Sequence, residues 1–183
     1  MPKRRIPPIH GARVRLRLLA EADLQLTLAW RNQDHIRKWF LHSELILPEQ
    51  HRDWFDQYWQ RDDDFVFVIE ESAERHRAVG QVAIYNVDWK ARRAEFGRLM
   101  IGEASAQGMG FAKEATQLLV GEALTVWGLA EVFLEVKEDN DRALALYRSC
   151  GFSIQSRADG ILTCVRPSRA APGGALAGPP TPA

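Results

Sequence analysis

Cysteine, net charge and long apolar runs are what this sequence has least of, and each scarcity closes off a class of protein. Cys150 and Cys164 are the two cysteines among 183 residues, too few for a disulfide framework and in keeping with a reducing, cytoplasmic setting. Lysine plus arginine balances aspartate plus glutamate at 24 each, so the chain offers no general basic field to nucleic acid. No stretch approaches the ~18 consecutive apolar residues of a membrane-spanning helix. The basic start Met1-Pro2-Lys3-Arg4-Arg5 is followed by no apolar signal segment. His35, His42 and His51 are spaced so that no helical face gathers them with a carboxylate, and no metal site is expected. Internal repeats are absent. The composition is 46% hydrophobic, enough to bury one substantial core, and the six tryptophans are expected to pack there.

The elements follow from pattern. Arg13 to Leu19 alternates arginines with Val14, Leu16 and Leu18, the period of a strand. Glu21 to Trp30 and Pro48 to Gln60 carry helical spacing, the second with His51, Trp54, Phe55, Tyr58 and Trp59 on one face and Pro48 in its first turn. Phe65 to Ile69, Val79 to Val87 and Ala91 to Ile101 are rich in β-branched and aromatic residues, which predicts three consecutive antiparallel strands. A helix over Phe111 to Trp127, closed by Gly128, a strand over Val132 to Val136 and a helix capped near Asn140 and closed by Gly151 come next. Phe152 to Ile154 and Ile161 to Val165 form a hairpin through Asp159-Gly160. Residues 1–12 are expected to be a flexible N-terminal segment and 13–166 one domain. Residues 167–183, rich in Ala, Gly and Pro, are expected to be a disordered tail.

Chemistry concentrates where a strand meets a helix, at Gln107-Gly108-Met109-Gly110-Phe111-Ala112. A small-residue turn opening a helix aims unpaired N–H groups at one point, where the helix dipole also favours negative charge. That is a phosphate cradle. No window supplies the G-x-x-x-x-G-K-[ST] of a P-loop, and Lys113 stands where a dinucleotide fingerprint needs its third glycine. What is present is Q-x-x-G-x-A in Gln107, Gly110 and Ala112, followed by a second signature from Asn140 through Ala143 and Tyr147 to Gly151-Phe152.

In that order, the two signatures resemble the GNAT acetyl-CoA-dependent N-acetyltransferases, over about Val14 to Phe152. The resemblance implies an α+β fold: a mixed, mostly antiparallel sheet, helices on both faces, and a V-shaped opening between two splayed parallel strands that takes acetyl-CoA. It implies that Leu99, Met100 and Ile101 on a bulged strand meet the pantetheine arm, with a free N–H to polarise the thioester carbonyl. Gln107, Gly108, Met109, Gly110, Phe111 and Ala112 would hold the pyrophosphate, Lys113 is an added charge or a solvated first-turn lysine, and Asn140 is a cofactor contact or a helix cap.

Acetyl transfer to an amine needs a neutral nucleophile, a positioned thioester, oxyanion stabilisation and a proton for the leaving thiolate. Tyr147 falls at the family's tyrosine position and, with an ordinary phenol pKa near 10, can donate that proton. Its alternative is a core aromatic. Glu95 is the carboxylate candidate for the base and His51 the imidazole candidate; Cys150 is rejected as a nucleophile because the family transfers directly. Trp30-Arg31-Asn32 and the Pro48 to Phe55 run are similar to the GNAT subgroup that acetylates nucleotide-linked amino sugars, as does the Ala94 to Gly97 run. Arg31 and His51 are then the substrate contacts, an arginine suiting phosphate and aromatics suiting a base or sugar. Gly80 to Val87 departs from that subgroup, with apolar Ala83 and Ile84 where polar contacts are expected. The expected function is acetylation of a primary amine, foremost the 4-amino group of a nucleotide sugar. The alternatives are a ribosomal-protein-type N-terminal acetyltransferase and a non-catalytic acetyl-CoA-binding module. The Pro48 helix aromatics also offer a homodimer contact.

Overall fold

The computed structural model describes residues 3–73 and 76–168. Its strands are β1 (Ile9–His10), β2 (Val14–Leu18), β3 (Phe65–Glu71), β4 (Arg77–Asp88), β5 (Arg93–Ile101), β6 (Glu131–Lys137), β7 (Ser153–Ala158) and β8 (Ile161–Pro167). Its helices are α1 (Leu24–Arg31), α2 (Asp34–Arg37), α3 (Pro48–Trp59), α4 (Phe111–Thr125) and α5 (Asp141–Ser149). The strands form one sheet in the order β1-β2-β3-β4-β5-β6-β8-β7. Neighbours are antiparallel except β5 and β6. The α+β architecture expected from the sequence is the one observed.

β3 reads Phe-Val-Phe-Val-Ile because both of its faces are covered. Phe65, Phe67 and Ile69 face α4, whose Ala115, Leu119, Val120 and Ala123 are fully buried. The two alanines let that helix sit close to the sheet. On the opposite face Val66, Val68 and Ala83 pack under Phe55 and Tyr58 of α3. The β2 arginines cross to β3, where Arg15 and Arg17 pair with the buried Glu70 at 2.5 and 2.7 Å. Among the smaller departures, α4 ends at Thr125 and not at Trp127, and the four-residue α2 has no counterpart in the pattern reading.

Within the segment expected to be flexible, residues 3–12 are described and make contacts with the domain. Ile9 and His10 pair with Leu16 and Arg15, Ile6 is buried, and Arg4 joins Asp62 at 2.5 Å. Lys3 Nζ donates to the carbonyls of Tyr58, Arg61 and Asp64 and sits over the Tyr58 ring. A lysine at a helix C-terminus satisfies carbonyls that the helix cannot. Nothing local in the sequence signals the Lys3 and Arg4 contacts, since their partners lie beyond residue 57. The expected disordered tail falls, from residue 169 on, outside the described residues; Pro167 belongs to β8 and Ser168 N–H donates to Ala130 O at 2.7 Å.

Candidate functional site

The site is organised by two irregularities in β5. Gln81 pairs with Met100 but Ala83 pairs with Gly97, so Val82 of β4 faces both Arg98 and Leu99. This is a β-bulge, with Arg98 at φ 51° in the left-handed region. On its other edge β5 pairs with β6 only from Arg93↔Glu131 to Glu95↔Phe133. Beyond that point the two strands share no ladder, and a cleft opens between them beside the bulge.

Alternation puts different chemistry on the two sides of the cleft. Glu95 lies on the α3 side, where its Oε1 accepts from Tyr85 Oη at 2.7 Å and its Oε2 from Asn86 Nδ2 at 2.9 Å. Burial and the carboxylate push the Tyr85 phenol above its ordinary pKa, so it remains a donor. Arg98 stacks over the Tyr85 ring, 4.3 Å from its centroid, and makes a bidentate pair with the buried Asp64 at 2.7 and 3.0 Å. Trp54 stacks on His51 at 5.2 Å, and His51 Nε2 lies 3.3 Å from Thr27 Oγ1. Burial lowers the His51 pKa, favouring the neutral imidazole.

Phe96, the next residue along, points to the α4 side. There Tyr147 of α5 packs edge-on to Phe96 and Phe152, each at 6.0 Å between centroids. The half-buried phenol is pushed above its ordinary pKa by desolvation and carries its proton at neutral pH. Glu95 and the Phe96–Tyr147 pair therefore lie on opposite faces of β5, a carboxylate on one side and a phenol on the other.

The small-residue turn closes the end of the cleft. Gly108 and Gly110 take φ 77° and 83°, and α4 begins at Phe111 with no side-chain cap. The N–H groups of Gly108, Gly110, Phe111, Ala112 and Lys113 find no acceptor among the described residues. An uncapped start on a 15-residue helix, walled by glycines, fits an anionic group. Met109 N–H is engaged by Ala106 O at 3.4 Å, and the Gln107 side chain reaches Ile101 O and His35 Nε2 at 3.3 and 3.2 Å. Leu99 and Ile101 pack toward α4, whereas Met100 turns to the other side against Trp30. Asn140 Oδ1 caps α5 by accepting from Ala143 N–H at 3.2 Å.

The acceptor candidates have separate surroundings. His51 belongs to the α3 cluster facing Glu95. Arg31 lies at the end of α1 beneath the segment 38–47, stacked 4.1 Å from the Phe40 centroid and donating through Nη2 to His42 O. It is 8% exposed, and its Nη1 is buried without a hydrogen-bond partner. Tyr85, Asn86, Arg98 and Asp64 were not among the candidates from sequence, and Trp54 entered only as one of the aromatics on the α3 face. Tyr85 and Asn86 were within reach of the sequence, since the two predicted strands, once paired in register, set Tyr85 opposite Glu95. Ala83 and Ile84 are fully buried, and the polar side chains that follow them on β4 are Tyr85 and Asn86. No group of three or more His, Cys, Asp or Glu residues is placed to hold a metal among the described residues, and no described helix is long and apolar enough to cross a membrane.

Comparison with known proteins bears on this geometry. Residues 13–153 match the family model of the acetyltransferase (GNAT) domain. The spermidine N(1)-acetyltransferase of Escherichia coli K12 is 27% identical over 150 residues, 82% of this chain and 77% of that one. Among solved structures, spermidine N-acetyltransferase from Vibrio cholerae in complex with CoA and spermine superposes with a TM-score of 0.78 at 20% identity, covering 86% of this chain and 97% of the other. A dodecameric structure of the Vibrio cholerae enzyme gives 0.71 at 20% identity over 86% and 95% of the two chains. With the family model running from β2 through α5 and including the glycine turn, the chain belongs to the GNAT family and is an acetyl-CoA-dependent N-acetyltransferase.

Proposed function

We propose that this enzyme acetylates a single primary amine on a small acceptor that also carries an anionic group, foremost the 4-amino group of a nucleotide-linked amino sugar. The observation that carries the reading is the charge inventory of the α3 side of the cleft. Asp64 is matched by Arg98, Glu70 by Arg15 and Arg17, Asp23 by Arg17 and Glu21 by Arg52. Glu95, beside the bulge, is held by the neutral donors Tyr85 and Asn86, as Glu103 past the end of β5 is by Trp30 Nε1. One uncompensated carboxylate suits one ammonium, and the buried free Nη1 of Arg31 suits an anion.

In this reading acetyl-CoA supplies the activated acetyl group. Glu95, directly or through water, takes the proton that makes the amine nucleophilic, and the bulge at Arg98–Leu99 offers a backbone N–H to the carbonyl oxygen. The N–H groups from Gly108 to Lys113 hold the pyrophosphate, with Gln107 framing the turn. Tyr147 gives its proton to the sulfur. Lys113 and the free Nδ2 of Asn140 are further contacts for the donor. His51 and Trp54 line the acceptor pocket. Two free cysteines support a reducing, cytoplasmic setting, and the dodecamer of the Vibrio cholerae relative supports a homo-oligomer.

A second reading, a polyamine acceptor, has its support in the names of the relatives. Thiol release from acetyl-CoA, followed with UDP-linked 4-amino sugars, spermidine and N-terminal peptides, separates the readings. The proposal expects turnover with the anionic amines and its loss in Arg31→Ala. Turnover with spermidine alone installs the polyamine reading, peptides alone the N-terminal one, and donor binding without any turnover the non-catalytic module.

A further inference from the structure

The turn between β1 and β2 is fastened to the first turn of α4 by one carboxylate. Glu114 Oε1 accepts from the backbone N–H groups of Arg13 and Val14 at 2.8 and 3.3 Å, and Oε2 accepts from Arg13 Nε at 3.0 Å. These N–H groups hold the Glu114 carboxyl below its ordinary pKa even though burial opposes them. Arg13 then extends past Glu114, and its Nη1 donates to Met109 O at 2.9 Å. A Cβ at Gly110 would lie 3.1 Å from Arg13 Nη2, so the guanidinium rests against the outside of the glycine turn. The Gly11 turn is equally tight against the helix, its own Cβ position 2.6 Å from Leu118.

The consequence comes from the geometry of a single peptide. The Met109–Gly110 bond is trans and planar, so its C=O and N–H point in opposite directions. Arg13 draws the carbonyl outward, which turns the Gly110 N–H inward, toward the same concave side as the free N–H groups of Phe111 and Ala112. We infer that Arg13 and Glu114 form an external latch that presets the Gly110 N–H for the donor's pyrophosphate. Arg13 is a positioning residue, acting through Met109 without touching the ligand. This rests on the reading of residues 107–113 as the pyrophosphate cradle. The latch also cancels the charge of Glu114, which would otherwise stand as a repelling carboxylate beside a phosphate site.

Isothermal titration of acetyl-CoA into the wild type and into Arg13→Ala, Glu114→Gln, the double variant and Gly110→Ala tests the assignment, with unliganded melting temperatures measured alongside. Arg13→Ala and Glu114→Gln are each expected to raise Kd about tenfold, the worth of one hydrogen bond to a charged group. The double variant should be no worse than either single one, because both break one latch. A structural role alone would lower the melting temperature and leave Kd unmoved, which overturns the inference. Glu114→Gln tightening binding overturns it too, since removing a repelling carboxylate would then be the whole effect. Gly110→Ala strikes the turn itself: if it weakens binding while Arg13→Ala does not, the cradle stands and the latch falls; if Gly110→Ala is also silent, the cradle reading fails.

Discussion

Replacing Tyr147 by phenylalanine removes one oxygen atom and leaves the ring in its place between Phe96 and Phe152, where its edge-on contacts at 6.0 Å persist. The hydroxyl has no hydrogen-bond partner among the described residues, so no protein group is orphaned by its loss. Folding stability should therefore change by less than about 0.5 kcal/mol. Catalysis is a different matter. General acids contribute about 10²- to 10⁴-fold, but an alkyl thiol ionises near pH 8.5, which makes its thiolate a tolerable leaving group even without help. The lower part of that range applies: kcat is expected to fall about 10- to 100-fold, or about 1.4 to 2.7 kcal/mol of barrier. Affinity for acetyl-CoA should hold within about twofold, as the phenol acts on the sulfur only as it leaves. The measurement is thiol release at saturating acetyl-CoA, with donor affinity by calorimetry and stability by urea titration. Because burial raises the phenol above about 10, a wild-type alkaline limb below pH 10 belongs to another group and should survive in the variant. An unchanged kcat would remove Tyr147 from the mechanism, and a large stability loss would mean that the hydroxyl has a partner.

Asp64→Ala leaves Arg98 unpaired beneath Tyr85; breaking a buried pair costs about 3–5 kcal/mol, and the 27% exposure of the Arg98 side chain reduces the expected loss to about 2 kcal/mol by urea denaturation. Gly102→Ala would put a methyl group 1.9 Å from Trp30 Cγ in a buried site, and overpacking of this kind should cost about 1–3 kcal/mol, read as a lowered Tm. For His51 the folded pKa is depressed by burial, so the unfolded chain binds the extra proton. Stability should fall as pH drops from the unfolded value of about 6.5 through the folded one, and His51→Gln should flatten that acid limb.

The parts of the site that could be read from sequence are those whose signal is local. Gly110 and Gly151 mark places where the chain must take positive φ, and Tyr147 keeps a fixed spacing from both Asn140 and Phe152 on one short helix. Arg98 illustrates the opposite case. Its side chain reads as an ordinary strand arginine until the register with β4 reveals the bulge, and Asp64 reads as one of three turn aspartates. Lys3 and Arg13 find partners 55 and 101 positions away, with no periodicity to announce them. Contacts that close only when the sheet assembles are set by topology, and a pattern with a period of two or 3.6 residues cannot carry them. Arg31 lies between these cases: its presence was legible, but that one of its N–H groups is buried unpaired depends on how the 38–47 segment folds back over it.

The parting of β5 and β6 after Glu95 and Phe133 means that the sheet is left with an interior seam, two strand edges facing a gap in the middle of the protein. In the proposed reading the pantetheine arm lies in that gap and completes the fabric as an extra strand would, which makes the donor a folding partner as well as a reactant. Occupancy should thus register where no catalytic group sits: amides on both sides of the seam should exchange more slowly with solvent, and the melting temperature should climb with acetyl-CoA concentration as ligand linkage requires.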